Sequence, residues 1–86
     1  MTKKAQKIIE EFNKRIEMWL DSYSIELISQ ERCYTRIKEE RDDVESLITN
    51  MFRYSLLSEN DFNELWQEVH FTGAYTFEKV LDLIYK

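Results

Sequence analysis

Residues 9–51 read IEEFNKRIEMWLDSYSIELISQERCYTRIKEERDDVESLITNM, and within them Ile9, Ile16, Tyr23, Gln30, Ile37, Val44 and Met51 stand seven apart. Seven residues span close to two helical turns, so these side chains fall near one stripe of a helix. A stripe of this kind is buried by packing helix on helix. The reading that follows is an all-α chain, either a small helical bundle or a long helical hairpin with two short C-terminal helices, and one that self-associates.

On the N-terminal side of the stripe, Ile8, Ile9, Phe12, Ile16, Trp19 and Leu20 recur at helical spacing, while Lys7, Glu11, Lys14 and Arg15 face away. That pattern predicts an amphipathic helix from Lys3 to about Leu20. Asp21-Ser22-Tyr23-Ser24 is a cluster that caps or interrupts helices, although no Glu or Gln follows either serine at the third position. From Ile25 to Glu40 the apolar density falls and Gln30 takes a stripe position, where a polar residue sets register or oligomeric state. The charged run from Arg36 to Asp43 ends with Asp42 and Glu45 in capping-box spacing. A turn at Arg41 to Asp43 is therefore expected as the rival to an unbroken rod.

Val44, Leu47, Ile48, Met51, Phe52 and Tyr54 make the next dense apolar segment, to about Leu57. Ser58-Glu59-Asn60-Asp61 is the clearest cap in the chain, with Ser58 as N-cap and Asp61 at the third helical position beside the positive helix end. The helix it starts would turn Phe62, Leu65, Trp66 and Val69 inward and Glu64, Gln67 and Glu68 outward. Gly73 is expected to close it in the left-handed conformation. Thr76 then caps a last helix buried through Phe77, Val80, Leu81 and Ile84. No repeat longer than the heptad is evident.

With 86 residues, one helical domain spanning 1–86 is the expectation. No proline and a single glycine disfavour strand-rich folds. A lone cysteine, Cys33, excludes an internal disulfide and fits a reducing cytoplasm. Charged residues from Glu10 to Arg15 interrupt any signal-like apolar run, and no stretch is long enough to span a bilayer. Abundant Ile, Lys, Asn, Glu, Tyr and Phe with two alanines suggest an AT-rich coding genome, such as that of a low-GC bacterium or its phage.

The residues do not assemble into a recognisable active site. Gln67 stands where a Glu three residues before His70 would complete a helical metal pair. Cys33 has no CxxC partner and follows acidic Glu31 and basic Arg32, a mixed environment that does not strongly favour the thiolate. The acidic run at Glu39, Glu40, Asp42 and Asp43 lacks the alternation and glycine of a calcium loop, and no glycine-rich loop is present to cradle phosphate. Glu64 and Glu68, one turn apart, read as a solvated face rather than an acid/base pair. No enzyme activity, cofactor or metal is expected.

The net charge of −5 gives no general attraction to nucleic acid. Residues 58–86 resemble a helix-turn-helix in proportions, but the second helix would present Glu78, Lys79 and Asp82 to the groove. Residues 1–15 carry five basic and two acidic side chains, whereas residues 58–86 carry six acidic side chains and two lysines. The two ends should attract, within one chain or across a symmetric dimer.

The leading functional expectation is a non-enzymatic protein-protein interaction module, a small cytoplasmic regulator or adaptor of bacterial or phage origin. Trp19, Tyr23, Phe52, Phe62, Trp66, Glu64 and Glu68 are the candidate protein-binding residues. The first alternative is a phage-encoded acidic inhibitor that occupies the nucleic-acid-binding site of a host enzyme. The second is a helix-turn-helix DNA-binding protein.

Overall fold

The computed structural model describes residues 1–85 and contains, among them, only helices and the turns between them. Two long helices, α1 (Lys3–Ser24) and α2 (Gln30–Arg53), lie antiparallel as a hairpin. Against one side pack α3 (Glu59–Gln67), which widens into a π-helical turn at Glu68–Thr72, and α4 (Phe77–Ile84). The molecule measures 41 × 19 × 18 Å, and α2 accounts for most of its length.

The apolar stripe becomes the seam of the hairpin. Phe12 and Ile16 on α1 and Cys33, Ile37, Val44 and Ile48 on α2 are buried together with Leu57, Leu65, Val69, Val80 and Ile84. Removing an aliphatic side chain of this size from water contributes about 1.5–3 kcal/mol. Gln30, the polar member of the stripe, has a definite task. Its Nε2 donates to the Ile84 carbonyl at 2.8 Å, and the Tyr23 hydroxyl donates to the same oxygen at 3.4 Å. Together they satisfy a carbonyl that the end of α4 would otherwise leave without a partner.

The chain does not turn at Arg41 to Asp43. Helix α2 runs straight through them, because Ile37, Val44 and Ile48 keep one continuous face against α1 and Arg41 pairs with Glu45 one turn on, at 3.9 Å. Nor does α1 stop at Asp21. Ser22 and Ser24 donate their hydroxyls back to the carbonyls of Met18 and Asp21, which lets the helix continue to Ser24.

The hairpin turn is instead Ile25–Ser29, and a second turn, Tyr54–Ser58, copies it. In the first, Glu26 takes φ 62°, its N–H bonds to Tyr23 O, and Leu27 N–H bonds to Ser22 O. In the second, Ser55 takes φ 61°, its N–H bonds to Phe52 O, and Leu56 N–H bonds to Met51 O. Both are Schellman closures, and neither has glycine at the left-handed residue. Three residues later a serine starts the next helix, Ser29 accepting from Arg32 N–H and Ser58 from Asp61 N–H, each at 3.1 Å. Sequence reading finds the Ser58 cap but not the repeated turn.

Gly73 also departs from expectation, since its φ is −71° and not left-handed. Its role is spatial. A Cβ at this position would overlap the Glu68 carbonyl oxygen. Thr76 occupies the N-cap position of α4 but its side chain makes no cap bond. Phe77, expected inside, is 39% exposed and lies edge-on to Tyr34 with the Arg41 guanidinium 4.9 Å above its ring.

Asp61 stands in the first turn of α3 as expected, and it also reaches the start of the chain. It is 6% exposed and accepts hydrogen bonds from the backbone N–H and hydroxyl of Thr2, which itself caps α1 by accepting from Ala5 N–H. Helix α1 begins with Lys3 and Lys4, the wrong sign for a positive helix end. Asp61, with Glu64 at 3.3 Å from the Met1 amino group, brings the missing negative charge from α3. The start of the chain and α3 thus meet within one molecule, through the Met1 amino group and Thr2 rather than through the basic side chains of residues 1–15. No helix among the described residues is long and apolar enough to cross a membrane.

Candidate protein-binding face

Positions 62, 66 and 70 are four apart, so α3 and its π extension align Phe62, Trp66 and His70 in one row. The end of α2 adds Phe52 to this row, because the tight turn at Ser55 folds α3 back beside it. Phe52 stacks on Phe62 with centroids 4.7 Å apart, Phe62 lies 5.9 Å from Trp66, and Trp66 lies 4.4 Å from His70. The π turn then brings Phe71 within 6.0 Å of His70. Five rings form a continuous strip across two helices.

The strip is open at both ends. Phe52 is 41% and Phe71 72% exposed, while the three rings between them are half-buried. Beside it, Trp66 forms one wall of a shallow groove whose other wall is Glu45, Ser46, Thr49 and Asn50 of α2. His70 Nε2 lies 2.9 Å from Glu45 Oε1, and Arg41 Nε approaches the same oxygen. Neither nitrogen completes an aligned hydrogen bond, so the two side chains converge on Glu45 without a directional bond to it.

Of the seven residues singled out from the sequence, the structure brings together Phe52, Phe62 and Trp66. Trp19 and Tyr23 lie toward the other end of the hairpin and are engaged there. The Trp19 indole donates to Glu40 at 3.3 Å under the Arg36 guanidinium, and Tyr23 holds Ile84. Glu64 faces the Met1 amino group, and Glu68 begins the π turn with its carbonyl against Gly73. The Glu64 carboxylate is thereby tied to the start of the chain, whereas Glu68 meets Gly73 through its backbone.

His70 and Phe71 complete the strip and were not among the seven. The spacing from Phe62 through Trp66 to His70 carries the signal for the first. The second depends on the π turn, which no local sequence rule foretells.

Cys33 is fully buried, its thiol donating to Trp19 O at 3.5 Å, and burial pushes its pKa up. It is therefore a packed thiol rather than a reactive one. Among the described residues no three His, Cys, Asp or Glu side chains are grouped to hold a metal ion. Neither a family model, nor a curated protein, nor a solved structure matches this chain.

Proposed function

We propose that this protein is a non-enzymatic interaction module, a small cytoplasmic regulator or adaptor of bacterial or phage origin, which docks its partner on the Phe52–Phe71 strip. The observation that supports this reading is the strip itself, stacked through its middle and exposed at both ends. Rings fixed by stacking lose little conformational freedom on binding and offer large apolar area, which is why aromatic residues dominate binding hot spots. The partner element that suits it is an amphipathic helix with its apolar face on the ring strip and polar side chains over Glu45, Ser46, Thr49 and Asn50 beside Trp66.

An acidic inhibitor has less to draw on. Of the six acidic residues between 58 and 86, Asp61 is buried on Thr2, Glu64 faces the Met1 amino group and Glu68 is half-buried. The helix-turn-helix reading is weaker still, because Lys79, the one basic residue of α4, is occupied by the Gly73 carbonyl at 2.8 Å.

The test is capture of the native partner on immobilised protein, comparing wild type with Phe52→Ala and Phe71→Ala. Loss of capture on ring truncation, with little change as salt is raised, supports docking on the strip. Capture that survives both truncations but collapses with salt supports the acidic alternative instead.

A further inference from the structure

On the flank of the hairpin away from the Trp66 groove, α1 and α2 leave a second groove with an apolar floor of Ile8, Phe12, Val44 and Leu47. Leu47 is 47% exposed although it lies beside the buried core. Four charged residues line the same groove. Arg15 and Glu40 neutralise each other at 3.7 Å, but Glu11 and Asp43 form no ion pair among the described residues. The groove therefore asks for an occupant that is apolar at its centre and positive on one side.

The chain supplies such a surface itself. Lys4 precedes Ile8 by four residues, on the same face of α1, and its Nζ is held only by an exposed bond to Leu56 O. Glu11 follows Ile8 by three residues, and Asp43 stands four from Leu47 on the antiparallel helix. At 1.5 Å per residue, Lys4 lies about 6 Å to one side of the Ile8–Leu47 level and the two carboxylates about 5–6 Å to the other. A two-fold axis perpendicular to the hairpin at that level places each lysine against the opposite pair of carboxylates.

We propose that a second copy of this chain closes the groove, as an antiparallel dimer in which Ile8 and Leu47 of both copies meet at the two-fold and Lys4 of each copy faces Glu11 and Asp43 of the other. The interface is small and partly electrostatic, so the dimer is weak and salt-sensitive. It shares no lining residue with the Trp66 groove, so it stands or falls separately from the proposed function.

Sedimentation equilibrium at low salt, at protein concentrations up to about 1 mM, gives the dissociation constant of the wild type. Lys4→Glu and Asp43→Lys, each alone, should raise it at least about tenfold by placing like charges together. An equimolar mixture of these two variants should return to within about threefold of wild type, because the mixed pair restores opposite charges at both contacts. Circular dichroism melts check that each variant folds; Glu11→Lys replaces Asp43→Lys, and Lys4→Asp replaces Lys4→Glu, where either does not. A wild type that stays monomeric overturns the proposal, as does a dimer indifferent to the single reversals or a mixture that fails to recover.

Discussion

The closures at Glu26 and Ser55 and the junction at Gly73 end helices by opposite means. The first two use the left-handed conformation without glycine, and the third uses glycine without that conformation. At Glu26 and Ser55 the backbone bends sharply, and the side chain bears a steric penalty while it projects to solvent. At Gly73 the backbone is extended but passes so close to the Glu68 carbonyl that no side chain fits. Glycine in this chain answers a demand for space, and the demand arises from the π turn that carries His70 and Phe71 into the aromatic strip.

The strongest way to break this contrast is Gly73→Ala. A methyl group there must displace the Glu68 carbonyl, and a loss of about 3 kcal/mol in urea unfolding is expected, with disturbance of Trp66 fluorescence. If the turn were instead a matter of dihedral freedom, alanine at φ −71° would be tolerated.

Helix caps sharpen it next. Ser58→Ala and Ser29→Ala should each cost about 1 kcal/mol, since both hydroxyls accept a helix N–H, whereas Thr76→Val should change stability by less than about 0.5 kcal/mol because that side chain makes no cap bond. Unequal losses at Ser29 and Ser58 would show that the two turns are less alike than their hydrogen bonds indicate.

In the opposite direction, Glu26→Gly and Ser55→Gly should each stabilise by up to about 1 kcal/mol, because glycine has no steric penalty at φ near +60°. The gain is partly offset by the greater freedom of glycine in the unfolded chain. Thermal unfolding of both variants decides it, and a loss at either site would contradict the assignment of strain there.

The smallest effect concerns Cys33, packed against the Trp19 carbonyl near the first turn. Burial raises its folded pKa, so the folded thiol keeps its proton to higher pH than the unfolded one. The stabilisation linked to it is full below the unfolded value of about 8.5 and declines as pH rises above that. Native protein should consequently react slowly with a thiol reagent even at mildly alkaline pH. Rapid labelling of folded protein would place Cys33 at a surface.

Much of the fold is legible in the residues, and the gaps have physical causes. The stripe from Ile9 to Met51 and the Ser58 cap are local patterns, and they foretell the hairpin helices and α3. The turn at Ile25–Ser29 is hidden because Ile25, Leu27 and Ile28 extend the apolar spacing while no glycine or proline marks the break. Asp42 and Glu45 mimic a cap, yet Ile37, Val44 and Ile48 hold α2 straight, so tertiary packing overrides the local signal. Asp61 reads as a helix-end charge, and only its contact with Thr2, at the far end of the sequence, explains its burial. Within the candidate face, Phe62 and Trp66 follow from helical spacing, but Phe52 joins them only through the Ser55 turn.

Hydrogen exchange on the protein alone and bound to its captured partner tests the docking face most directly. Added protection confined to residues 45–53 and 62–72 is the predicted result. Protection restricted to the outer faces of α1 and α4, with the Phe52–Phe71 strip unchanged, would contradict it.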